Sequence, residues 1–139
     1  MTPTDPLRLL RSVETIALVG ASAKPERASH RVMEYLQSKG YRVLPVNPGL
    51  AGQELLGETV HASLAETPGP FDMVDVFRNS DAALGVTEEA VALAEEKGIR
   101  AVWMQLGVVN ERAAGMARAA GLEVVMDRCP KIELARSEA

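Results

Sequence analysis

The sequence predicts an α/β fold: a Rossmann-like doubly wound parallel sheet of five strands, in the order 3-2-1-4-5, with helices on both faces. Two observations carry the prediction. Short β-rich apolar runs alternate with segments of helical spacing, and a glycine stops each of three helical segments at the same relative place. The runs cover residues 15–19, 41–46, 71–77, 100–105 and 122–126, and their Val, Ile and Leu content without strict alternation suits parallel strands buried on both faces.

Taken in order, residues 5–11 read as a short capping helix with Pro6 tolerated in its first turn. The first strand runs into Gly20, and a helix begins between Pro25 and Ser29, with Ala28, Val32, Tyr35 and Leu36 as its apolar stripe and Gly40 as its stop. Residues 47–70, rich in Gly and Pro, predict an irregular connection or one short helix, with 63–66 as a single turn. Ala83, Val86, Ala90, Leu93 and Ala94 form the next stripe, opened by Asn79 or Ser80 and closed by Gly98. Ala113, Met116, Ala117 and Ala120 form the third, opened by Asn110 and closed by Gly121. A helix ending on a left-handed glycine and turning directly into a strand is the αβ loop of a doubly wound sheet. Right-handed crossovers then give the order 3-2-1-4-5. In that order the switch point lies between the first and fourth strands, in a crevice lined by the turns after Val19 and Gln105.

Composition sets the outer limits. At 139 residues, 47% hydrophobic and 24% charged, the chain is expected to form a single domain over 1–139. A net charge of -4, from 15 basic and 19 acidic side chains, provides no general field for nucleic acid or an anionic membrane. The lone cysteine, Cys129, and the lack of a secretory signal or a transmembrane run lead to an expectation of the cytoplasm.

The turn after the first strand, Gly20-Ala21-Ser22-Ala23-Lys24-Pro25-Glu26-Arg27, has the makings of an anion site. Glycine permits the tight turn, and the following amides face the positive end of the next helix. Lys24, Arg27, His30 and Arg31 add local positive charge to an acidic chain. The dinucleotide fingerprint fails, because its second and third glycines are Ser22 and Pro25, and Val46-Asn47-Pro48 supplies no acid for a ribose. A Walker A motif is also missing.

The residues also carry a family pattern: Gly20-Ala21-Ser22 with Pro25 and Arg27, then Tyr41-x-Val43-x-Pro45-Val46-Asn47-Pro48. Asp72-x-Val74-Asp75-Val76-Phe77-Arg78 follows, then Ala101-Val102-Trp103-Met104-Gln105-Leu106-Gly107 and Val124-Val125-Met126-Asp127-Arg128-Cys129. In this order they resemble the small stand-alone CoA-binding proteins, which are similar to the N-terminal domain of the succinyl-CoA synthetase alpha subunit. The resemblance covers residues 15–133. It implies that coenzyme A, or an acyl-CoA, is the ligand, with Gly20, Ala21 and Ser22 at the pyrophosphate and Arg27 as a phosphate cation. It further implies Asn47 and Pro48 on the adenosine side, Phe77 and Arg78 after the third strand, and Met104, Gln105 and Leu106 along pantetheine. Where the synthetase domain carries a lysine after its second-strand turn, Pro48-Gly49-Leu50 has none, which redistributes phosphate contacts to Arg27 or Arg78.

Catalysis in the resembled synthetase uses a phosphorylatable histidine in a second domain and a separate nucleotide-grasping subunit, so this chain is expected to bind its ligand without independent catalysis. His30 and His61 pair with no carboxylate or nucleophile at a recognisable spacing, and no group of residues has metal-ligand spacing. Cys129 reads as a packing residue, reactive only if a neighbouring cation lowers its pKa. Trp103 reads as core. The alternative from the enzyme class is a Rossmann enzyme using NAD(P) or another nucleotide. A protein partner or self-association stays open.

Overall fold

A computed structural model describes residues 4–138. The elements run α1 (Pro6–Ser12), β1 (Thr15–Val19), α2 (Ala28–Ser38), β2 (Arg42–Val46), β3 (Glu54–Leu55), β4 (Glu58–Thr59) and β5 (Met73–Val76). They continue through α3 (Ser80–Lys97), β6 (Ala101–Met104), α4 (Glu111–Ala119), β7 (Glu123–Val125) and α5 (Pro130–Ser137). A 3-10 turn over Pro48–Leu50 follows β2. None of the helices is long and apolar enough to cross a membrane.

The five apolar runs become one parallel sheet, β2-β1-β5-β6-β7, so the doubly wound α/β class stands. Its order, counted over these five strands, is 2-1-3-4-5, which corrects the expected 3-2-1-4-5. The reason lies in the hydrogen-bonding edge of β2. The segment after the β3–β4 ribbon returns to that edge: His61 N–H donates to Pro45 O (3.1 Å) and Asn47 N–H to His61 O (2.9 Å). The carboxyl end of the outer side of β2 is thereby taken, and the third long strand pairs with β1 instead. Pro45 carries the same message, because a proline has no N–H for the ladder and belongs on an edge strand. The connection over 47–70 contains that ribbon and a turn at 63–66, with no α-helix.

Reversal of direction at the β1/β5 boundary decides which face each helix covers. The β1-to-β2 crossover puts α2 on one face with α1 and α5, where Ile16, Leu18, Val43, Met73 and Trp103 meet Leu9, Leu10, Met33, Leu36 and Leu134. The β5-to-β6 and β6-to-β7 crossovers run the other way, so Val19, Val46, Val74, Val102 and Val124 meet α3 and α4 through Ala83, Ala90, Ala113 and Ala117. Small alanines on that side let the helices lie close to the sheet. Trp103 is fully buried as expected, and its Nε1–H donates to Arg128 O at 2.7 Å.

Caps fix the helix ends where the sequence placed them. Asp5 accepts from Leu7 N–H, Asn79 from Ala82 N–H, and Gly98 ends α3 in the left-handed region at φ 80°. Helix α5 was not anticipated, because it has only eight residues and no polar side-chain cap ahead of Pro130. Asn110 does two jobs: its Oδ1 accepts from Ala113 N–H (2.9 Å) and its Nδ2–H donates to Ser80 O (2.9 Å), tying the start of α4 to the start of α3. Asn110→Ala should therefore lower stability by about 1–2 kcal/mol. The expected readout is a lower urea midpoint with the same m-value, and an unmoved midpoint would mean that these two bonds contribute nothing net.

Candidate functional site

The correction to strand order moves the switch point, and the crevice moves with it. It lies between β1 and β5, so the turns that line it follow Val19 and Val76 in place of Val19 and Gln105. Gly20 makes this possible. Its φ is +97°, and a Cβ built there would stand 2.3 Å from the Phe77 carbonyl oxygen, so only glycine allows the two outgoing chains to pass. Phe77 N–H donates to Val19 O at 2.8 Å, while Gly20 N–H donates to Val46 O at 3.0 Å. The turn is thus tied to the strands on both sides. Asn47 completes the tie: its Nδ2–H donates to Ala21 O and its Oδ1 accepts from Gly49 N–H, each at 2.8 Å.

These ties leave a cleft of about 580 Å³ whose lining includes Gly20, Ala21, Ser22, Arg27, Asn47, Phe77 and Arg78, seven of the residues the sequence singled out. That size is ordinary for a small-molecule site. A second hollow of about 440 Å³ shares Gly20, Asn47 and Arg78 with the first and adds Pro48, Ser63 and Glu89 toward α3. Met104, Gln105 and Leu106 line neither. Met104 is buried in the core, Gln105 is nearly so, and Leu106 is exposed, one strand beyond the crevice.

Two features make the main cleft receptive to anions. First, the N–H groups of Ser22, Ala23, Ala28 and Ser29 donate to no acceptor among the described residues. Helix α2 has no side-chain cap, so its positive end opens into the cleft unneutralised. Second, Lys24, Arg27 and Arg78 line the cleft, and none of the three joins an ion pair among the described residues. Lys24, one of the four cations grouped after the turn in the sequence, stands at the site. His30 and Arg31 do not line it, and the Arg31 guanidinium is turned to Glu26 O. Ala23, Ala28, Ser29, Gly49 and Leu50 complete the lining; spacing gave no signal for them, since backbone proximity brings them there. Cys129 is buried at the start of α5 and lines neither hollow.

Together these features define a Rossmann-like domain with a cationic, amide-rich cleft at its switch point. Residues 14–135 match the family model described as CoA binding domain, and the chain belongs to that family. It is similar to the uncharacterized protein YneT of Bacillus subtilis (strain 168), 41% identical over 124 residues that cover 89% of this chain and 87% of that one. Two solved structures are also close. A hypothetical protein from Pyrococcus horikoshii OT3 is 37% identical with a TM-score of 0.88, covering 100% of this chain and 94% of that one. The protein designated cell-free ID.343 from Thermus thermophilus is 39% identical with a TM-score of 0.87, covering 96% and 98%. A dinucleotide forming acetyl-coenzyme A synthetase from Ca. Korarchaeum cryptofilum shares the fold at 24% identity and a TM-score of 0.69, over 86% of this chain and 26% of the synthetase.

The geometry at Gly20 also changes what a substitution there can report. From sequence alone, Gly20→Val is expected to abolish binding and spare the fold, whereas the contact with Phe77 O makes any Cβ a structural lesion. Gly20→Ala should cost roughly 2 kcal/mol or more from backbone strain alone. Its thermal midpoint should fall clearly below wild type, and an unchanged midpoint would show that the turn adjusts freely.

Proposed function

We propose that this chain holds coenzyme A, or an acyl-CoA, through the phosphate turn after β1 and contributes no catalysis of its own. The observation that carries the reading is the pairing of unengaged amides at the start of α2 with Lys24, Arg27 and Arg78 around one cleft. CoA is a small molecule with a diphosphate and a further phosphate on its ribose, and it needs several cations and donors close together. Membership of the CoA binding domain family supports the same ligand.

The fit is good at the diphosphate. The missing Cβ of Gly20 lets backbone amides approach, as a phosphate oxygen requires, and Ser22 and Ala23 bring free N–H groups to it. Arg27 and Arg78 stand on different turns and can grip phosphate oxygens from two directions. Asn47 lines both hollows and Pro48 the second, which gives the adenosine end a place beside the diphosphate. For Met104, Gln105 and Leu106 the assignment to pantetheine rests on the family resemblance alone.

When bound, CoA supplies a thiol that carries acyl groups; the chain's own residues bind and orient it. The side chains at the main cleft suit holding more than proton transfer, for its lining includes no carboxylate, imidazole or thiol. A single cysteine precludes an internal disulfide and suits the reducing cytoplasm.

Titration calorimetry on the full chain tests the reading. CoA should bind more tightly than dephospho-CoA, NAD or NADP, and Arg27→Ala and Arg78→Ala should each weaken CoA by about tenfold, the worth of one charge-assisted hydrogen bond. Heat from NAD or NADP alone would favour a nucleotide-using enzyme. Silence for all four would leave a module whose pocket serves no ligand of this kind.

A further inference from the structure

Asp75 stands in the middle of β5, and nothing in the proposed binding uses it. It is fully buried, and neither carboxyl oxygen has a hydrogen-bond partner among the described residues. In register it lies between Leu18 of β1 and Trp103 of β6. Alternation along the strand puts it on the face of Met73 and Phe77, under α1, α2 and α5. Phe77, two residues on, lines the cleft and sets its carbonyl against Gly20. Two strand residues span about 6.6 Å, so Asp75 sits one layer beneath the phosphate turn.

The packing around it offers no countercharge. Helix α1 brings Leu9 and Leu10, α2 brings Ser29, Val32, Met33 and Leu36, and α5 brings Leu134. The titratable groups on this layer are the Cys129 thiol and the hydroxyls of Tyr35 and Tyr41, the last donating to Leu10 O. The charged groups of the same helices are engaged or turned outward: Glu133 pairs with Arg128 and Arg136, Arg8 with Glu123, and Lys39 with Glu138. Arg11, Arg31 and Glu34 are exposed, His30 and Lys131 half-buried, and no ion pair among the described residues reaches Asp75. Gln105, just past the end of β6, has its Oε1 buried without a partner among the described residues, an acceptor of the kind a protonated carboxyl can serve and an ionised one cannot.

Burial without a partner holds the Asp75 carboxyl well above the usual carboxylate range. An ionised Asp75 would put negative charge under a cleft built to attract it from above. We propose that Asp75 couples occupancy of the cleft by a phosphate-bearing ligand to retention of a proton on its own carboxyl. The proposal rests on the anionic-ligand reading given above. Linkage is reciprocal: the ligand's charge favours the neutral acid, and ionisation of the acid weakens the ligand. The sign for the free protein follows from the direction of the shift. The folded chain keeps a proton that the unfolded chain has released, so this contribution is full below the ordinary carboxylate range and is lost as pH rises through the folded value.

The test compares wild type with Asp75→Asn, a neutral group of the same shape. CoA is titrated into each full chain from mildly acidic to alkaline pH, in two buffers of different ionisation enthalpy, and each chain is melted without ligand over the same range. Wild-type affinity should fall with rising pH by about tenfold more than that of Asp75→Asn, with proton uptake that the variant lacks. In the melts, Asp75→Asn should be the more stable chain at neutral and alkaline pH, with the gap closing toward acid. Identical pH profiles of CoA affinity for the two chains would overturn the proposal, whatever the melts show. If neither chain binds CoA at any pH, the functional reading fails and the coupling with it, and a surviving difference in the melts would show a proton held for stability alone. Should the variant fail to fold, carbon NMR of the Asp75 carboxyl in wild type, with and without CoA, gives the same answer: a titration unmoved by CoA overturns the coupling.

Discussion

At the carboxyl edge of the sheet, β1 and β5 lie side by side and then lead away to opposite faces, and everything at the site depends on how closely the two departing chains can pass. Gly20 settles this by having no side chain where the Phe77 carbonyl sits. The same position needs a left-handed backbone, so glycine meets two requirements at once. From that contact follow the tie of the turn to β2 through Val46 O, the direction in which Ser22 and Ala23 present their amides, and the start of α2 in the open cleft. A wider passage would need no glycine, and it would also bring no row of amides to one point.

The local charge then makes sense against the acidic whole. The chain has a net charge of -4, yet Lys24, Arg27 and Arg78 meet over one cleft and, among the described residues, are left out of the surface ion pairs that occupy Arg8, Lys39, Arg42 and Arg128. Surface pairs of that kind contribute little to stability. Their value here is in what they leave free. Below the same cleft the sheet carries, in β5 between β1 and β6, a carboxyl without a hydrogen-bond partner among the described residues. Such a group is hard to explain as packing, because an apolar residue of similar size would serve packing better.

Much of this was legible in the sequence, for identifiable reasons. Parallel strands buried on both faces leave continuous apolar runs, and glycine stops mark the helix ends, so the class and nearly all the elements could be read. The turn that lines the cleft was legible because glycine, small residues and cations lie next to one another in the chain. Strand order was not read correctly, although Pro45 held the clue: a strand with a missing N–H belongs at an edge, and the order 3-2-1-4-5 would have buried it. The ribbon β3–β4 escaped because two-residue strands leave no periodicity, and α5 because it is short and lacks a polar cap. Gly49 and Leu50 reach the cleft only through tertiary placement. Asp75 was visible as an acid in a strand, but its lack of a hydrogen-bond partner among the described residues is a property of three packed layers.

The return of the chain to β2 has a further consequence. An outermost strand normally offers a row of open donors and acceptors on which another chain can grow. Here Pro45 removes a donor, and His61 engages the neighbouring carbonyl and the Asn47 amide. The strand next to the turn after β1 therefore has its outward donors and acceptors engaged at its carboxyl end, beside the cleft. The segment from 47 to 70, which looks in sequence like a loose connection, covers that end of the strand.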